Sequence, residues 1–228
     1  MSQKEISLKR GNFDPLLGTP FDKKSIGLVK LLFSLRQNLD LYCLISVNAE
    51  KINRVSGSGF WGHLQRLAVH MISLDLCKIY EKETNYQLNS IDAIVQKLLE
   101  GNGSQLDCSK LKSFIETYKG PFEEGQLISN LQTTIEGFRK NFQVELERLK
   151  TARDKIIAHS EYDVEVPSLP SYDTLEKLFL FGVDFYELVL SALGDVSSVP
   201  IKDERRVKNS LLQIFCLLGI KDLKEDMK

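Results

Sequence analysis

An all-α fold, an up-and-down helical bundle, is predicted by three features of this 228-residue sequence. Apolar residues recur at three- and four-residue steps through most of it, no period-two strand pattern of any length occurs, and Gly, Pro, Ser and Asn fall where helices would begin and end. A content of 43% hydrophobic and 27% charged residues suits a globular chain able to bury a sizeable core.

Taken in order, residues 1–23 are polar, with Gly11, Pro15, Gly18 and Pro20 spaced so that no helix propagates. An irregular N-terminal arm is expected there, followed by a single helical domain over 24–228. From about Ser25, the run Ile26, Val29, Leu32, Leu35, Leu39, Tyr42 and Cys43 predicts a helix to about Arg54, stopped by Ser56-Gly57-Ser58-Gly59. A second helix starts near Phe60-Trp61 and reaches Ile79. It is apolar on more than one face, which predicts a place at the centre of the bundle. Asn89 and Ser90 suit the cap of a short helix from Ile91 to Leu99, with Asp92 at its positive end and Gly101-Asn102-Gly103 as its stop. Another short helix is expected at Ser109–Tyr118, closed by Gly120-Pro121.

The longest run extends from roughly Gly125 to Ala158. Its stripe passes through Leu127, Leu131, Ile135, Phe138, Phe142, Leu146, Leu149, Arg153 and Ile156, and reads as core or dimer interface. Pro167 and Pro170 mark a loop. The C-terminal helices occupy 172–218: one from about Tyr172 to Leu193, ended before Gly194, and one from about Asp203 to Leu218, set between Pro200 and Gly219.

Charge and cysteine usage narrow the function classes. Thirty Lys plus Arg against 31 Asp plus Glu leave a formal charge of −1, so a polyanion would have to be held by a local patch and not by a global field. Cys43, Cys77, Cys108 and Cys216 are far apart, and three of them lie in apolar helical runs, as expected of reduced, buried thiols. The polar first ten residues do not form a signal peptide, and no apolar run approaches the roughly 20 residues that span a bilayer. A cytoplasmic protein without a membrane partner is expected.

One stretch departs from ordinary helical filler: Leu149-Lys150-Thr151-Ala152-Arg153-Asp154-Lys155-Ile156-Ile157-Ala158-His159-Ser160. A guanidinium can clamp a phosphate through two parallel hydrogen bonds, and an imidazole near neutrality can take or give a proton. The same residues also suit a plain structural role, with Arg153 paired to Asp154, Glu147 or Glu145 and His159 favoured by the negative end of the helix. On a regular helix, six residues leave Arg153 and His159 about 120° apart around the axis and roughly 9 Å apart along it. One copy would then not aim both at one atom, unless the helix ends or kinks near Ala158. Two copies meeting at a two-fold axis would supply a shared cleft.

The pattern Arg153-Asp154-x₄-His159 at the end of a long helix resembles the signature of the HEPN superfamily (higher eukaryote and prokaryote nucleotide-binding). The fuller wording, Leu149-x₃-Arg153-Asp154-Lys155-x₂-Ala158-His159-Ser160, looks most like the branch associated with phage abortive infection. Phe60-Trp61, the apolar run to Ile79-Tyr80 and Asn89-Ser90-Ile91 agree with that layout, and the likeness covers roughly residues 25–195.

The resemblance implies a metal-independent endoribonuclease, active on RNA as a homodimer in a phage-defence or toxin system. It assigns Arg153, Asp154 and His159 to catalysis, with Lys155 and Tyr162 on the substrate, and implies no cofactor and no metal. An antitoxin or a nucleotidyltransferase is the partner such systems carry. Toxin relatives place a tyrosine two residues after the histidine, where this chain has Glu161, with Tyr162 one step later. The superfamily also contains non-catalytic modules that bind or assemble with a nucleotide, an RNA or a protein, and that alternative stays open.

Two weaker signals remain. His63, Arg66 and His70 fall on nearly one side of the second helix, without a carboxylate or Cys at ligand spacing, which disfavours a metal and leaves surface, core or RNA-groove roles. Arg139, Lys140, Arg148 and Lys150 make the long helix basic but alternate with Glu145 and Glu147, as on an ordinary solvated face.

Overall fold

The computed structural model describes residues 13–18, 27–55, 57–82, 89–100, 106–154, 169–194 and 200–225, and all regular structure among them is helical. In chain order the helices are α1 (Asp14–Leu17), α2 (Leu28–Val47), α3 (Ala49–Ile52), α4 (Ser58–Tyr80), α5 (Ile91–Glu100), α6 (Cys108–Thr117), α7 (Leu127–Asn141), α8 (Gln143–Thr151), α9 (Tyr172–Ala192) and α10 (Arg206–Leu217). The chain divides into two compact units, one drawn from residues 1–31, 78–147 and 181–199, the other from 32–77, 148–180 and 200–228.

In the first unit, part of the expected irregular arm is folded. Pro15 lies in the first turn of α1, where its missing N–H is not needed, and Phe13 and Leu17 are buried where α1 meets α5. Gly18 (φ 76°) turns the chain out of α1, and Gly27 lies so close to it that a Cβ on Gly27 would collide with the backbone of Leu17 and Gly18.

Helices α5 and α6 both pack on α7, and both start on side-chain caps. Ser90 Oγ accepts from the Ala93 N–H at 3.2 Å, as the sequence predicts. Asp107, which sequence inspection passes over, accepts from the Ser109 and Lys110 N–H groups at 2.9 and 3.3 Å. The Ser109 hydroxyl and these amides hold its carboxyl below the usual range. At the far end of α6, Lys119 takes a left-handed conformation (φ 55°) and Gly120 N–H donates to Ile115 O at 2.9 Å, the Schellman closure.

Aromatic rings fill the interior of this unit. Phe181 stacks on Phe138 with centroids 3.8 Å apart and meets Tyr118 edge-on at 4.6 Å, while Phe114 packs at 5.4 Å. Arg139 is not the solvated cation expected. Its side chain is 11% exposed and its Nη1 donates to Asp92 at 2.8 Å.

The second unit closes on Leu44, Ile45, Ile52, Trp61, Leu211, Phe215 and Ile220. Here the helix expected to reach Arg54 is interrupted at Asn48. The Asn48 amide donates to Lys224 O at 2.8 Å and its carbonyl accepts the Lys224 N–H at 3.0 Å, a long-range bracket that competes with continued helix. Deeper in α2, Arg36 is paired with Asp40, both nearly buried, with Glu176 at 3.7 Å and the Phe179 ring beneath the guanidinium. α10 begins three residues later than expected because Glu204 accepts from the backbone and guanidinium of Arg206. Gly219 (φ 74°) ends it with the predicted closure, Ile220 N–H donating to Phe215 O at 3.0 Å.

Three further expectations are corrected. The long run 125–158 is not one helix: α7 gives way to α8 at Phe142 (φ −113°, ψ 20°), whose ring packs on Phe138. Cys216 is exposed, because Phe215 takes the inward position on α10, while Cys43 and Cys77 are buried as expected. And α4 is not enclosed, since Phe60, Leu67 and Met71 are exposed. The helix with the widest buried arc is α9, with Leu178, Phe179, Phe181, Val183, Phe185 and Val189 inaccessible, while Asp173, Lys177 and Leu180 are exposed on its other side.

Two substitutions test this account of packing. Gly27→Ala should destabilise the protein by about 1–3 kcal/mol, because backbone must move to admit the methyl group. An unchanged denaturation midpoint would contradict the close approach to Gly18. Asp40→Ala should cost about 3–5 kcal/mol by stranding the Arg36 guanidinium, whereas the double change Arg36→Met, Asp40→Leu should come near wild type. Equal losses in the single and double variants, read by denaturant unfolding, would mean that the pair itself is not what matters.

Candidate functional site

Leu149 anchors the end of α8 with no exposed surface. After Thr151 the regular helix loosens into a π-type turn over 152–154, a wider turn that alters the direction of the side chains within it. Ala152 stays buried. Arg153 emerges from this turn with its side chain 18% exposed, beside Asp154 at 44%. The Arg153 Nε donates to Asp154 Oδ1 at 2.7 Å.

This geometry bears on the sequence reading in two ways. The ion pair offered as the structural role of Arg153 exists, and Asp154 is its partner. A carboxylate bound at Nε also fixes the plane of the guanidinium, so the contact suits a clamp as well as a tether. Secondly, α8 ends at Thr151, ahead of Arg153, and residues 152–154 form the wider turn in place of regular α-helix. Lys155, His159 and Tyr162 lie outside the described residues, as do Glu161, Asp163 and Glu165.

Among the other candidates, Arg148 and Lys150 on α8 are exposed, and Glu147 accepts from Gln143 at 2.9 Å. His63 and Arg66 are exposed on α4 and His70 is half-buried. No group of three or more His, Cys, Asp or Glu residues capable of holding a metal occurs among the described residues. Likewise, no described helix is long and apolar enough to cross a membrane.

Sequence reasoning missed one polar site. In the first unit, Tyr118 OH donates to Asp184 at 2.6 Å. Burial, and then the carboxylate, push its phenol well above the usual range. Beside this bond lies a slot of about 420 Å³ lined by Ser109, Ser113 and Thr117 of α6 and by Glu187 of α9. The hydroxyls at 109, 113 and 117 follow one face of a helix and were readable as such. Their facing partner on α9, 67 or more residues away, was not.

Comparison with known proteins supplies the classification. No curated protein and no solved structure matches the chain. A family model for the HEPN domain of AbiU2 matches residues 19–209, a span that contains α2 to α9 and the Arg153–His159 stretch. Covering most of the sequence, the match shows that the chain belongs to the AbiU2 family of HEPN domains.

Proposed function

We propose that the protein is a metal-independent endoribonuclease of a phage-defence or toxin system, acting as a homodimer whose cleft combines Arg153 and His159. The observation that carries this reading is the position of Arg153: a part-exposed guanidinium, oriented by Asp154, at the end of α8 inside the span matched by the family.

In this mechanism Arg153 grips the scissile phosphodiester and offsets the charge that grows on its oxygens during attack. His159 removes the proton from the RNA 2′-OH, and the resulting alkoxide attacks the adjacent phosphorus. A bond forms from O2′ to phosphorus as the bond to O5′ breaks, and a proton is returned to the leaving oxygen. The products are a 2′,3′-cyclic phosphate and a free 5′-hydroxyl. Asp154 holds the guanidinium plane, and Lys155 and Tyr162 contact the substrate backbone. Two copies contribute to one cleft, a reading that rests on the family and not on helical projection.

A second reading is favoured by the Arg153–Asp154 bond itself, which occupies an edge of the guanidinium that a substrate would share. In that case the domain binds a nucleotide, an RNA or a protein without cleaving.

Purified protein incubated with RNA in EDTA should yield 2′,3′-cyclic phosphate ends. His159→Ala should lower the rate by about 10²–10⁴-fold. Arg153→Lys should also lose most of the activity, because a point charge does not reproduce bidentate contact. Cleavage that survives His159→Ala, with contaminating nuclease excluded, would overturn the enzymatic reading. Absence of cleavage together with binding that Arg153→Ala weakens would establish the second one.

A further inference from the structure

We draw no further inference here: the strongest candidate, the slot between α6 and α9 beside the Tyr118–Asp184 bond, carries nothing, because a stripe of hydroxyls at Ser109, Ser113 and Thr117 next to two half-buried carboxylates has no second feature that says what would fill it.

Discussion

Burial of α9 is the constraint to which the rest of the chain answers. Leu178, Phe179, Phe181, Val183, Phe185 and Val189 are inaccessible and span more than half the circumference of α9, so that arc must be met by other apolar groups. In the first unit Phe181 is met by Phe138, Phe114 and Tyr118, and Asp184 is satisfied by the Tyr118 hydroxyl. In the second, Phe179 lies beneath the Arg36 guanidinium, and Glu176 reaches the same cation. The polar residues of α9 are thereby tied to particular partners, which fixes the rotation of the helix as well as its depth.

Much of this was legible in the sequence because short-range rules govern it. Ser90 caps α5, Gly219 closes α10, and the run from Tyr172 stops beside Gly194, each where its residue type requires. What was not legible depended on distant partners. Asn48 breaks α2 from α3 by bonding to Lys224, and nothing near Asn48 announces it. The exposed stripe of α4 and the enclosed stripe of α9 look alike in composition, since periodicity shows which residues share a face and not what covers that face. Pro15 looked like a helix breaker, but at the first turn of α1 it is compatible with one.

The family was legible in the sequence as well. The HEPN resemblance, read from the Arg153–His159 spacing and the surrounding helical layout, agrees with a family match over residues 19–209. The regular helix assumed in projecting that spacing is absent at its first residues, because α8 ends before Arg153 and a π-type turn carries the arginine. Asp154, chosen in the sequence as the polar neighbour of Arg153, is the residue that orients it.

The central claim is that one chain holds only half of a nuclease site. The most direct measurement is RNA cleavage by a fixed amount of wild-type protein mixed and re-equilibrated with increasing amounts of Arg153→Ala, His159→Ala double variant. If two copies build each cleft, excess inactive chain should draw the wild type into mixed dimers and suppress its activity progressively toward background. Activity that stays constant across the whole titration, with subunit exchange verified independently, would contradict a shared site.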